Sequence, residues 1–323
     1  MRRNVAWTLW PCLMLVAGCG AQPVLLGTTG SAVFSAMDVL ATPREQVDLR
    51  AQLRSGDFLR GSPGYAVRFY QGEELYRVAQ TDEDGVAAVS FTPAKAGDYA
   101  FRAELVPAGM KEPPPPPAEL AVYCRPGDVP MAVVDLDKTV VASGFHTVLL
   151  GNPEPMSHSQ EVLARLARTH LILYLTHRPD LFTLKSRSWL KDNGYPPGPL
   201  LLSSISGFLK GSGAFKSDMI VQLQERFTRM EIGIGDKISD AQAYRQHGMK
   251  AFLIVQIPES DEPEPYDDLA GKLDQLDEKV QVVGGWDEIE EALFGRGSYP
   301  RSDMQKRLND LARASREKVK SAK

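Results

Sequence analysis

Asp135-Leu136-Asp137-Lys138-Thr139 sets two carboxyl groups two positions apart at the end of a short apolar run, Met131 to Val134. Further on, Thr176 closes the run Leu171 to Leu175, Lys216 opens an amphipathic stretch, and Gly235-Asp236-Lys237-Ile238-Ser239-Asp240 closes the run Glu231 to Ile234. A carboxylate that attacks, a second that handles protons, a hydroxyl, a cation and a further carboxylate pair together suit phosphoryl transfer through an aspartyl-phosphate. Asp135 is the nucleophile in this scheme. An anion attacking a phosphate dianion is repelled, so a Mg²⁺ held by Asp135, Asp236 and the backbone carbonyl of Asp137 has to neutralise charge. Asp137 protonates the leaving alkoxide and later takes a proton from water, with its side chain off the metal and negative charge around it. Thr176 hydrogen-bonds the phosphoryl oxygens, while Lys216 neutralises the nucleophile and holds the transferring group. One helical turn beyond Asp236, Asp240 faces the same ion or its waters. Lys210 competes with Lys216 for the cation's role, but it lies in a Gly- and Ser-rich loop, whereas Lys216 begins a helix beneath the strand ends.

The elements that must carry these groups can be read from hydrophobic periodicity. Met131 to Val134, Leu171 to Leu175, Leu200 to Leu202, Glu231 to Ile234 and Ala251 to Val255 are apolar runs without alternation, as strands buried on both faces require. Helical patterns fill the gaps at Gln160 to Thr169, Leu181 to Asn193, Phe215 to Phe227 and Asp240 to His247. Strands alternating with helices predict an α/β domain over 127–297 with a doubly wound parallel sheet. Reactive groups in such a sheet gather beyond the carboxyl ends of the strands, where Asp135, Asp137, Thr176, Asp236 and Asp240 fall, while Lys216 opens the helix between two of them.

With Asp135, Asp137, Thr176, Lys216, Asp236 and Asp240 in this order, the stretch from about 129 to 257 resembles the haloacid dehalogenase superfamily of phosphatases. Asn193-Gly194-Tyr195-Pro196-Pro197-Gly198-Pro199-Leu200-Leu201-Leu202 resembles a segment of the actin-patch-protein type of phosphatidate phosphatase. Ala214-Phe215-Lys216 and Asp240-Ala241-Gln242-Ala243-Tyr244 are similar to the corresponding lipin motifs. The resemblance implies a Rossmannoid sheet and Mg²⁺, with Asp135 as nucleophile and Asp137 as acid/base. It also implies that Thr176, Lys216, Asp236 and Asp240 form the phosphate and metal shell, and that phosphatidate is the substrate. Lys138 departs from the Gly or Asp more usual there, and His177-Arg178 after Thr176 from both lipid-phosphatase types. His177 and Arg178 read either as a headgroup or phosphate contact or as a solvated loop, and His146 as packing. Between Thr139 and Gln160 there is room for a short flap only, and Ser203 to Gly213 is shorter, so no separate cap domain fits. An uncovered site admits a large or membrane-embedded substrate.

The first half of the chain reads differently. Arg2 and Arg3 precede a mostly apolar run, Val5 to Ala17, and residues 1–18 have the form of an export signal too short to span a bilayer. Leu15-Val16-Ala17-Gly18-Cys19 resembles the lipobox of bacterial lipoproteins, with lipidation of Cys19 as the implied membrane anchor. The expectation is an exported lipoprotein of the cell envelope, in the outer membrane facing the periplasm. Loss of Cys12 with the signal and acylation of Cys19 leave Cys124 with no disulfide partner. Residues 19–43 read as a tether. Over 44–126, period-two alternation at Val47 to Leu53 and Tyr99 to Leu105, with Gln71-Gly72 and Asp84-Gly85 turns between, predicts a small immunoglobulin-like β-sandwich of unknown partner. Ala96-Gly97-Asp98-Tyr99 has the form of a tyrosine corner, and Pro113 to Pro117 that of a stiff loop.

The tail, 298–323, is basic, with Met304, Leu308, Leu311, Ser315 and Val319 near one helical face; it reads as a solvated helix or one lying on anionic lipid. A formal net charge of −4 provides no basic field for nucleic acid. Two rivals to a phosphatidate phosphatase remain open: a periplasmic phosphatase of soluble phosphomonoesters, and a non-catalytic envelope-binding lipoprotein.

Overall fold

The computed structural model describes residues 32–56, 59–108, 113–144, 151–204, 208 and 211–321. The export signal, Cys19, His146 and Lys210 lie outside the described residues. Among the described residues no helix is long and apolar enough to cross a membrane.

Alternation puts every second side chain of β3 (Val47–Ser55) inward, and Leu49, Ala51 and Leu53 are buried. β3 pairs antiparallel with β1 (Val33–Ala36), β4 (Arg60–Gly61) and β7 (Val86–Phe91). The facing sheet runs in the order β2 (Val39–Ala41), β9 (Ala118–Cys124), β8 (Gly97–Leu105), β5 (Ala66–Gln71) and β6 (Glu74–Gln80). Phe69, Phe101, Leu120 and Leu53 fill the space between the sheets. The tyrosine corner is present: Tyr99 Oη donates to the Lys95 carbonyl at 2.8 Å. The tether reading needs correction, because β1 and β2 fall within 19–43 and belong to the sandwich. Their hydrogen bonds go to β3 and β9, in ladders too short to leave an alternation signal.

The second domain is a six-stranded, all-parallel sheet in the order β12 (Leu200–Ser203), β11 (Leu171–Pro179), β10 (Met131–Val134), β13 (Met230–Gly235), β14 (Lys250–Ile254) and β15 (Gln281–Val283). All four β10 side chains are fully buried, which is why the run shows no alternation. The helices are α1 (Ser159–Leu166), α2 (Thr183–Asp192), α3 (Ser212–Gln224), α4 (Ile238–Gln246), α5 (Glu264–Leu273), α6 (Trp286–Phe294) and α7 (Arg301–Ser321). They cover both faces of the sheet, each over its own apolar cluster. From β10 the chain winds outward first through β11 and β12, then returns to β13 on the other side. The switch point therefore falls between the carboxyl ends of β10 and β13. Gly233 lets α4 pack against β13, since a Cβ there would lie 2.2 Å from Cγ of Tyr244 on α4.

The tail also departs from expectation. Met304, Leu308, Ala312 and Ser315 of α7 are buried, packed on α5 and the core beneath it. The apolar face read as solvated or lipid-facing therefore completes the domain.

Sandwich and sheet domain share an ordered interface. Leu40 and Tyr123 join the core formed by β10, α3 and α4. Arg54 of β3 makes a buried two-pronged ion pair with Asp180, in the short 3-10 turn Asp180–Phe182 between β11 and α2. Asp38, between β1 and β2, takes hydrogen bonds from Arg187 of α2 at 2.9 Å and from the backbone amides of Ala121 at 2.8 Å and Leu200 at 3.0 Å. Burial pushes the Asp38 carboxyl up despite these partners.

Candidate active site

Asp135 follows β10 directly, and its amide donates to the Ile234 carbonyl of β13 at 3.0 Å, tying the candidate nucleophile to the switch point. Asp236 follows β13, and Asp240 lies in the first turn of α4. These three residues can bring one carboxylate oxygen each within 4.8 Å of one another. Lys216 reaches them from α3, with Nζ 3.0 Å from Asp135 Oδ1 and 2.5 Å from Asp240 Oδ2. Lys216 and Asp240 are wholly buried, and Ser212 Oγ donates a further bond to Asp240 at 3.0 Å. Burial alone would lower the Lys216 pKa, but Asp135, Tyr244 and Asp240 outweigh it and hold the ammonium well above its ordinary range.

The donor set fits Mg²⁺. Three carboxylates face one ammonium, so the cluster carries an excess of negative charge that a divalent cation would cancel. Asp236 Oδ1 is cut off from water and has no hydrogen-bond partner among the described residues, a costly state for a carboxylate unless a cation meets it. Burial, then the charges of Asp135 and Asp240, push the Asp236 carboxyl up to about 7.

Asp137 is not among the three clustered carboxylates. The charge around it is not the expected one. Arg178 Nε and Nη2 grip its carboxylate at 3.0 and 2.8 Å, while Arg178 Nη1 donates to Ser186 Oγ at 2.9 Å. Arg178 is 2% exposed. It is therefore neither a solvated loop residue nor a free phosphate contact but the support of the acid/base candidate. Sequence reasoning assigned no such role; the available signal was a cation two residues beyond Thr176 at the end of a buried strand. Thr176 is buried on β11, its hydroxyl 3.4 Å from the Arg178 amide. His177 stacks on Phe208, ring centroids 4.8 Å apart.

Beside Asp236 opens a cavity of about 450 Å³ between the end of β14 and α5. Ile238, Leu253, Val255 and Leu269 form its apolar wall, with Lys138 and Lys237 at its rim. Lys138 holds a left-handed backbone, φ 53°, a conformation that costs an L-residue about 1–2 kcal/mol. Beside Asp137, which bridges to Val141, the Ala142 amide donates to the Glu154 carbonyl at 2.9 Å and the Met156 amide to the Val140 carbonyl at 2.7 Å, pairing 140–142 with 154–156.

Residues 132–257 match the family model described as PITM 1-3, LNS2 domain. The match supports a relation of these residues to lipin-like phosphatases, and the parallel sheet is consistent with a haloacid dehalogenase-like fold. No curated protein matches the chain significantly. Among solved structures, a CARDB domain from Pyrococcus furiosus is 17% identical, with 30% of this chain and 95% of that one covered and a TM-score of 0.23. Fibronectin(III)-like modules of CbhA from Clostridium thermocellum are 17% identical, with 28% and 93% covered and a TM-score of 0.21. Domain ZIg10 of human titin is 13% identical, with 35% and 93% covered and a TM-score of 0.21. TM-scores this low leave the sandwich to be read from its own strands.

Proposed function

We propose that the chain is a Mg²⁺-dependent phosphomonoester hydrolase that dephosphorylates phosphatidate to diacylglycerol at a membrane surface, anchored by lipidated Cys19 in the outer membrane facing the periplasm. The observation that carries the reading is the meeting of Asp135, Asp236, Asp240 and Lys216 at the switch point, with Asp137 held separately by Arg178. Asp135 attacks phosphorus and the ester P–O bond breaks. Asp137 gives its proton to the leaving alkoxide, then takes one from the water that attacks the aspartyl-phosphate, so that phosphate leaves and Asp135 is regenerated. Lys216 holds the nucleophile and offers its charge to the transferring group, and Thr176 faces the phosphoryl oxygens. Bound Mg²⁺, held by Asp135, Asp236 and Asp240, supplies the positive charge that lets an anion approach the phosphate. Support for an amphiphilic leaving group comes from the cavity beside Asp236, with lysines at its rim and an apolar wall.

A periplasmic phosphatase of small soluble esters is the second reading, favoured by the paired segments 140–142 and 154–156 that flank Asp137. Phosphate release from phosphatidate micelles, sugar phosphates and nucleotides, with and without Mg²⁺, tests all of this. We expect Mg²⁺-dependent preference for phosphatidate in wild type and none in Asp135→Asn. Preference for soluble esters moves the substrate, and inactivity on every ester leaves an inert binding lipoprotein.

A further inference from the structure

The stretch 178–187 holds the acid/base candidate, yet its own placement comes largely from the other domain. Several polar side chains within it are committed. Arg178 grips Asp137 and reaches Ser186; Asp180 is gripped by Arg54; Arg187 donates to Asp38. Arg54 Nη1 and Nη2 lie 2.6 and 2.9 Å from the two Asp180 oxygens. Both residues are nearly inaccessible, at 6% and 4% exposure. The Asp180 carbonyl also accepts from Thr183 Oγ1 at 2.5 Å, which joins the gripped turn to the first residue of α2. The β3 register sets Arg54 opposite Val33 of β1 and Gly61 of β4, so its origin is a paired strand and not a loop.

Stability is a poor explanation for this latch. Desolvating two charges offsets most of their attraction, and apolar side chains of the same volume would dock two domains as well or better. A two-pronged guanidinium–carboxylate pair adds direction, since it fixes its partner in plane and angle as well as in distance. Here the partner is two residues from Arg178, whose own fork must meet both oxygens of Asp137. Proton transfer depends on placement at this scale, and a shift of about 1 Å can cost a large part of the rate.

We infer that Arg54 of the β-sandwich is a positioning residue for the acid/base Asp137, acting through Asp180 and Arg178. The inference rests on the hydrolase reading above. It gives the sandwich a part in turnover without contact to substrate, with Asp38 and Arg187 steadying the far end of the same stretch.

The test uses the full chain and two esters. A dispersed alkyl phosphomonoester needs a proton on its leaving group; p-nitrophenyl phosphate needs much less. For Arg54→Met we expect kcat on the alkyl ester to fall about tenfold and on the aryl ester by less than about twofold, with KM changed by less than about twofold. Exchanging the pair, Arg54→Asp with Asp180→Arg, should return the alkyl-to-aryl ratio to within about twofold of wild type. A merely structural latch lowers both rates in proportion to folded protein and leaves the ratio where it was; that result overturns the inference. Thermal unfolding of each variant reports the folded fraction. Should Arg54→Met fail to fold, Arg54→Lys keeps the charge but loses the fork, and it must shift the ratio in the same direction by about threefold. An unmoved ratio there also overturns the inference. Wild type inactive on both esters refutes the hydrolase reading itself, whereas active wild type with an unmoved ratio refutes only the role of Arg54.

Discussion

Lys216→Met removes the ammonium from between Asp135 and Asp240 and leaves buried carboxylates facing one another. At the 4.8 Å limit of their approach and an effective dielectric of about 20, each pair of charges repels by about 3.5 kcal/mol. Lys216 offsets this at 3.0 and 2.5 Å, so its loss exposes the repulsion. Proton uptake limits the damage, because the Asp236 carboxyl is pushed up to about 7 and can be neutralised. The net cost should therefore be that of a buried pair missing one partner, about 3–5 kcal/mol. For a domain of roughly 150–250 residues this lowers Tm by about 6–20 °C. Thermal unfolding followed by circular dichroism in EDTA measures it. Mg²⁺ should narrow the gap by more than half, since the ion restores positive charge to the same oxygens. Adding Asp240→Asn should recover more than half of the loss in EDTA by removing one of the opposed charges. A Lys216→Met protein that melts within about 2 °C of wild type in EDTA would refute the electrostatic account of the cluster.

Mg²⁺ stabilisation should grow with pH. The folded, metal-free protein keeps a proton on Asp236 up to about 7 that the unfolded chain sheds near its ordinary 3.8, so this group's contribution to stability is lost as pH rises through about 7. The ion must displace that proton, so its Tm increment should be smaller at pH 6 than at pH 8, and an increment independent of pH would contradict the assignment of Asp236. Gly233→Ala should cost about 1–3 kcal/mol by overpacking and also slow turnover, because its Cβ would meet Tyr244, whose ring lies 5.9 Å from Lys216 Nζ. Denaturant melts and phosphate release on one preparation check both. Metabolic labelling with a fatty acid should mark wild type and not Cys19→Ala; equal labelling would remove the proposed anchor.

Much of the second domain was legible because strands buried on both faces show as unbroken apolar runs, and β10, β11, β13 and β14 fall where those runs do. The order of Asp135, Thr176, Lys216 and Asp236 along the chain pointed to the candidate site in the same way. Each lies on or near the end of such a run, or on the helix between two of them. Short elements left no such trace. β1, β2 and β15 have four, three and three residues, fewer than periodicity needs, and only their partners in the ladder identify them.

A different limit applies to residues whose meaning lies in what covers them. The apolar stripe of α7 is the same pattern whether lipid, water or α5 faces it, and Met304 and Leu308 turn out to complete the core. Arg178 and Asp137 are 41 residues apart, and Arg54 and Asp180 are 126 apart, so no local window contains either pair. A single arginine has the same local appearance on a solvated loop, at a phosphate or against a buried carboxylate. Burial removes the first option. At Arg178, three of the five N–H donors are taken, two by Asp137 and one by Ser186, so a phosphate would have to compete with the Asp137 carboxylate for the charge of the guanidinium. That competition makes Arg178 first of all a support for the Asp137 carboxylate, and it explains why a ligand-binding motif could not have revealed it.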